Sequence, residues 1–332
     1  MVSATYAKHL TNVSDTTMSL ITNSIRSSTK AQYNSALDAW KVFCENKQLN
    51  QTRAGLSHIL DFLTSIFEKG NSVSSLETYR SAISKFHTQI DGFDVGKHPV
   101  VKAFITGCAQ SRPKKAKYEH TWDVSRVLQV LSSLAYEPAQ TIFFNRLADK
   151  LQFLFLLVTA CRVSVLPRLR VSDGYMQKFS DKFVFAPAGL GKTTRKGKPE
   201  KTIVIFKHNA DKRLCPYRAL EVYLERSNSI HDTMPFLFVI EKSDKQFRAA
   251  TSRDIRANVL KIMCKARVDA HFRTHSVRGA STSAASRGGL DIDAVMAAGD
   301  WASTDTFYRY YLRNIDPREK RLKSFQSTVL NT

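Results

Sequence analysis

The apolar residues of this chain recur at a helical period almost from end to end, and they switch to the period of a strand in one region only. Tyr33, Leu37, Trp40 and Phe43 follow the cap candidates Ser28 and Thr29 and predict a first helix. Leu56, Ile59, Leu60, Leu63 and Ile66 predict a second over 55–67, and Leu76, Tyr79, Ile83 and Phe86 a third over 75–86. A short fourth helix, over 99–107, follows the turn residues Gly92, Gly96 and Pro99, so this stretch reads as a small helical bundle. Helices are predicted again at 124–134, behind a Thr121-Trp-Asp cap, and at 147–159. Residues 182–187 and 201–206 are β-rich instead, and the basic, glycine-containing stretch 190–200 joins them as the tip of a hairpin. Helical patterns return at 216–226, 252–266, 274–287, 291–298 and 304–313. The pattern defines a mainly α fold with one small antiparallel sheet.

A length of 332 residues exceeds one ordinary core and predicts two domains. The boundary falls at Ser111-Arg-Pro-Lys-Lys-Ala-Lys117, which is polar, basic and broken by Pro113. The expected division is a flexible arm over 1–25, a helical domain over 26–111, a linker over 112–118 and a larger domain over 119–332. The linker's Arg112, Lys114, Lys115 and Lys117 suit contact with a phosphate backbone; a solvated charge run or a localisation signal reads equally well. Charge speaks for the whole chain in the same sense. Fifty Lys and Arg against 29 Asp and Glu leave +21, a field that draws in polyanions, nucleic acid first and an anionic membrane surface second. The longest apolar run, 151–160, is about half of what a bilayer crossing needs, so no membrane span is expected. The first twenty residues lack the apolar block of a secretory signal. Five cysteines, odd in number and with no CxxC pair, argue against a disulfide framework or a zinc ribbon and for a reducing compartment.

Chemistry-bearing groups are few. The nine histidines form no HExxH or HxH pattern, and no metal site is expected. Gly189-Leu-Gly-Lys-Thr-Thr194 lacks the spacer of a phosphate loop and lies between two strands, so no nucleotide cofactor is expected. What remains is basic and phenolic. His275 and Arg278 stand at i and i+3 and share one helix face. Arg162 ends the most apolar helix, where a half-buried guanidinium needs an anion, whether a ligand or an internal carboxylate. Tyr310 and Tyr311 close a helix near the C-terminus.

In order along the chain, Arg162, a hairpin lysine, His275-x-x-Arg278, Trp301 and a tyrosine resemble the tyrosine recombinase family. Thr159-Ala-Cys-Arg-Val-Ser164 is similar to its first arginine box and Thr274-His-Ser-Val-Arg-Gly-Ala280 to its second. Gly299-Asp-Trp-Ala-Ser-Thr-Asp-Thr-Phe-Tyr-Arg-Tyr-Tyr311 resembles its last box in the form found in DIRS, Ngaro and Crypton mobile elements. Ser28-Thr-Lys-Ala-Gln-Tyr33, Thr78-Tyr-Arg-Ser-Ala-Ile-Ser84 and His98-Pro-Val-Val101 resemble its core-binding domain, and the likeness spans about 25–315. Val165 departs from the acidic residue that bacterial members often place three positions after the first arginine.

The resemblance implies a two-domain C-shaped clamp on double-stranded DNA, a dimer on each site and a tetramer in synapsis, acting in the nucleus. It implies that Arg162 and Arg278 hold the nonbridging phosphate oxygens, that His275 handles the nucleophile's proton and that Trp301 donates its indole N–H. Lys192 would protonate the leaving 5′ oxygen, with Lys196 and Lys198 as rivals, and Arg195 would join them on the DNA backbone. The nucleophile is Tyr311 by the Phe307-x-x-x-Tyr311 spacing of the mobile elements; the nine-residue count from Trp301 in bacterial relatives points to Tyr310. A silent DNA-binding descendant and a type IB topoisomerase are the competing readings.

Overall fold

A computed structural model describes residues 14–113, 118–191, 194, 201–301 and 303–315. Its contacts divide the chain into two compact units, 1–115 and 116–332.

The first unit is helical: α1 (Asp15–Asn23), α2 (Ser27–Asn46), α3 (Leu56–Glu68), α4 (Val73–Phe86) and α5 (Pro99–Ser111). Most of the apolar faces read from the sequence meet in one core, and Tyr33, Leu37 and Phe86 pack in a second, smaller cluster. Trp40, Ile59, Leu63, Leu76, Ile83 and Val101 are fully buried in the first, and the Trp40 indole N–H donates to the Gln51 carbonyl at 2.9 Å. Ser72 caps α4 by accepting the Ser75 N–H, and Pro99 opens α5 where no N–H is needed. The arm expected over 1–25 is corrected over part of its length, because Asp15–Asn23 is helical. Ser14 accepts the Thr17 N–H at 3.2 Å and starts that helix, yet Leu20 stays 68 % exposed, so no apolar stripe marks it in the sequence.

The second unit is built around α7 (Phe144–Thr159), which follows α6 (Val124–Leu131). Within the Thr121-Trp-Asp sequence it is Asp123 that caps α6, accepting the Ser125 N–H at 2.9 Å. Nearly every side chain of α7 is buried, because α8 (Pro216–His231), α9 (Ser252–Lys265) and α10 (Ser276–Arg287) pack on it together with strand β3 (Ile203–Phe206). β3 pairs antiparallel with β2 (Lys182–Phe185), Phe183 opposite Ile205, as the hairpin pattern requires. Three elements lie outside the sequence reading: an outer strand β1 (Met176–Lys178), and the pair β4 (Val239–Glu241) and β5 (Phe247–Ala249). Three residues are too few to show an alternating period. Two short helices, α11 (Ile292–Gly299) and α12 (Thr304–Tyr310), finish the unit.

Burying most of α7 has a cost at Asp149. Desolvation raises its pKa to about 6, against the pull of Lys261, Lys265 and Arg146. A carboxyl raised in the folded state costs stability once pH passes the unfolded value, and the full cost is present above about 6. Asp149→Asn should therefore raise the melting temperature at pH 7–8, by a free energy on the order of 2–3 kcal/mol, and have little effect near pH 4. Melting curves at the two pH values check this; equal shifts at both would refute the burial argument.

Candidate active site

Five chain segments deliver side chains to one place. Helix α7 ends at Ala160, whose left-handed backbone (φ 47°) turns the chain so that Arg162 follows outside the helix. Arg162 then opens a 3-10 turn, its carbonyl accepting the Val165 N–H at 2.9 Å. Strand β3 brings Lys201 in at its leading end. Helix α10 carries His275 at its cap and Arg278 in its first turn, and the Ser281 hydroxyl docks this helix by donating to the Leu157 carbonyl of α7. Helix α11 ends at Asp300, again left-handed (φ 52°), and the chain turns into Trp301. Phe307, fully buried, anchors α12 and sets Tyr311 one helical turn later, with the Tyr311 N–H donating to the Phe307 carbonyl at 2.8 Å.

Arg162, Lys201, Arg278, Gly299 and Asp300 line a cleft of about 300 Å³. Arg278 is 4 % exposed. Its guanidinium donates to the Gly299 carbonyl, lies 4.1 Å from the Trp301 ring centre and 5.5 Å from that of Tyr311, and keeps a buried Nε–H with no acceptor among the described residues. Neither Arg162 nor Arg278 has an ion-pair partner among the described residues. Burial, and then the charge of Arg162, lower the Arg278 pKa to about 10. Two close cations, neither ion-paired to a carboxylate among the described residues, form a place for an anion.

The phenol stands next to it. Tyr311 Oη and His275 Nε2 share a hydrogen bond at 3.0 Å, and the Tyr311 ring centre lies 4.6 Å from Trp301. An imidazole so placed can take the phenolic proton. The Trp301 indole N–H has no acceptor among the described residues.

Of the catalytic residues expected from sequence, the structure thus brings Arg162, His275, Arg278, Trp301 and Tyr311 together. Lys192, Arg195, Lys196 and Lys198, like Lys114, Lys115 and Lys117, lie outside the described residues, as does the side chain of Tyr310. Arg112, expected on DNA, is engaged within the first unit. It donates to the Phe67 and Asn71 carbonyls, the latter at 3.0 Å, and covers the Phe67 ring at 3.9 Å.

Two participants escaped the sequence reading. Lys201 donates to the Ala297 and Ala298 carbonyls at the end of α11. Burial lowers its pKa; Asp300 opposes the shift and Arg278 adds to it. A lysine with a lowered pKa on this cleft is a fourth candidate for the acid that protonates a leaving oxygen. Its only sequence signal is that it opens the β-rich run 201–206. Gly299 is the second: a β-carbon there would overlap Cζ3 and Cε3 of Trp301. Gly299→Ala should push Trp301 off Arg278, and with it any phosphate chemistry should slow on the order of tenfold or more, while DNA affinity changes little. Single-turnover cleavage alongside a binding isotherm tests this, and an unchanged cleavage rate would show that the Trp301 contact is idle.

This helical fold with its small antiparallel sheets, holding two arginines on a cleft with a hydrogen-bonded histidine and tyrosine beside Arg278, is that of the tyrosine recombinase catalytic domain. Residues 127–316 match the phage integrase family, and the chain belongs to that family. No curated protein matches the chain. Among solved structures it is similar to the Tn1549 transposon integrase in complex with transposon right end DNA, at a TM-score of 0.54 and 14% identity over 97% of this chain and 98% of that one. It is similar also to a lambda integrase fragment, a dimer bound to a COC′ core site, at 0.53 and 14% over 90% and 93%. The XerH site-specific recombinase bound to difH substrate gives 0.51 and 15% over 82% and 70%. At these identities the likeness is one of fold.

Proposed function

We propose that this chain cuts and rejoins double-stranded DNA through a covalent 3′-phosphotyrosine, as the recombinase of a mobile element of the DIRS, Ngaro or Crypton type. The observation that carries the reading is the cationic cleft of Arg162 and Arg278 beside a phenol already hydrogen-bonded to His275. A phosphodiester resists attack because its anionic oxygens repel nucleophiles and its alkoxide leaves poorly. The two guanidiniums stabilise the charge that builds on the nonbridging oxygens, and the Trp301 indole N–H supplies a further donor. Tyr311 Oη forms a bond to phosphorus and passes its proton to His275. The bond from phosphorus to the 5′ oxygen breaks, and a lysine (Lys192, Lys196, Lys198 or Lys201) protonates that oxygen. The phosphotyrosine keeps the bond energy, so an incoming 5′ hydroxyl reverses the steps without ATP.

The helical segment 26–111 contributes DNA binding, the linker 112–118 meets the backbone and the segment 119–332 carries the chemistry. Lambda integrase is described as a dimer bound to a COC′ core site and as a tetramer bound to a Holliday junction, which supports the same assembly for this chain; its action in the nucleus is part of the proposal.

The test is a nicked suicide duplex drawn from the DNA flanking the gene, incubated with the protein in chelator and without nucleotide. A denaturation-resistant protein–DNA band together with a free 5′ hydroxyl is the expected result. Binding without that band on any flanking duplex would make the chain a silent DNA-binding descendant. Plasmid relaxation without strand transfer would make it a topoisomerase.

A further inference from the structure

We infer that Ser283 is a positioning residue for the nucleophile, fixing the register between the segment that carries Tyr311 and the helix that carries His275 and Arg278. The inference rests on the strand-cleavage reading above and deepens it. Ser283 is fully buried on α10. Its hydroxyl donates to the Tyr311 carbonyl at 2.8 Å and accepts the Arg313 N–H at 3.0 Å. One side chain therefore clamps the peptide groups on either side of Leu312, directly after the phenol.

The geometry of α10 makes this a register device. Gly279 lies one turn before Ser283, and there the Tyr311 backbone rests close to the helix; even an added β-carbon would sit only 3.5 Å from the Tyr311 carbonyl oxygen. His275 lies one turn further back and meets Tyr311 Oη. The residues 275, 279 and 283 thus form a single row along the helix, with the side chain of Tyr311 held at one end and its backbone at the other. A slip of the clamp moves the hydroxyl away from the imidazole.

The same segment is gripped from its other side. Arg313 Nε–H donates to the Tyr118 carbonyl at 2.9 Å, and its Nη1 donates to the Tyr308 carbonyl of α12 at 3.0 Å. The Thr121 N–H donates to the Asn314 carbonyl at 2.8 Å. Trp122, also buried, donates its indole N–H to Ser276 Oγ at 3.0 Å, beside His275. Residues 118–122 therefore back both halves of the row, and Ser283 is the link that joins them through the nucleophile's own peptide.

The test compares Ser283→Ala with Ser227→Ala. Ser227 is an equally buried serine of the same unit, whose hydroxyl donates to the Tyr223 carbonyl at 2.6 Å, far from the row in sequence and on another helix. Both variants lose one buried hydroxyl, so a purely structural loss should affect them alike. Ser283→Ala should lower the single-turnover rate of adduct formation on the order of 10²-fold at saturating DNA, with DNA affinity unchanged. Ser227→Ala should leave that rate near wild type. Equal rates in the two variants would overturn the inference. Hydrogen exchange provides an arm independent of activity. Amides of 311–313 should exchange faster in Ser283→Ala and not in Ser227→Ala, and unaltered exchange there would also overturn it. A wild-type protein that makes no adduct would sink the strand-cleavage reading, and the exchange comparison would still decide the clamp.

Discussion

Tyr311→Phe is expected to bind DNA as the wild-type protein does and to form no covalent adduct at all. The substitution removes one hydroxyl, and with it a single hydrogen bond to His275 on a half-buried ring, so folding should be preserved. The ring itself keeps its place against Trp301 and Arg278. What disappears is the atom that would bond to phosphorus. Tyr310→Phe should keep the adduct. Denaturing gels with a nicked suicide duplex separate the two variants by one retarded band. The reverse result, loss with Tyr310→Phe and retention with Tyr311→Phe, would move the nucleophile by one residue. A band that persists in the double variant would end the phosphotyrosine mechanism.

A second large effect is expected at Arg278, and it should come without a folding penalty. Removing a buried, paired charge usually costs several kcal/mol, because the partner is left behind. Arg278 leaves no ion-paired carboxylate behind among the described residues, and its pKa, lowered to about 10, reports burial and the repulsion of Arg162. The shift corresponds to a standing cost on the order of 3 kcal/mol at neutral pH, offset by the Gly299 hydrogen bond and the Trp301 contact. Arg278→Met should therefore melt near or above the wild-type temperature. Its single-turnover cleavage should fall on the order of a thousandfold, since a preorganised donor to the transition state is gone. Inorganic sulfate should raise the wild-type melting temperature more than that of the variant. Near-normal cleavage by Arg278→Met would remove it from the chemistry.

Most of the helices were legible because each buries a stripe of large apolar residues, as Ile59, Phe62, Leu63 and Ile66 do on α3. The hairpin of β2 and β3 was legible for the parallel reason, Phe183 and Phe185 alternating inward. Helix α1 was not, because its start depends on one serine cap and no apolar face follows. Strands β1, β4 and β5 are shorter than the pattern that would reveal them. At the site, motif spacing pointed to Arg162, His275, Arg278, Trp301 and Tyr311, which the fold brings together. Lys201 and Ser283 could not be found in this way. Lys201 owes its place to carbonyls at the end of α11, and Ser283 to a peptide beyond α12, contacts set by tertiary packing and absent from any local period.

The carbonyls of Ala297, Ala298 and Gly299 hold Lys201 and Arg278 in place of ion-paired carboxylates. They are the negative pole of α11, partial charges fixed in the backbone. A carboxylate in that position would compete with a phosphate for the same guanidinium and would lose its charge in acid. Peptide oxygens do neither. An arriving phosphodiester therefore need displace no side chain of its own sign from Arg278. The attraction it feels there comes from the guanidinium of Arg278, whose lowered pKa of about 10 still leaves it charged between mild acid and mild alkali. The main chain of α11 thus fixes the cations in place, while the affinity of the cleft for phosphate stays with Arg162, Lys201 and Arg278 themselves.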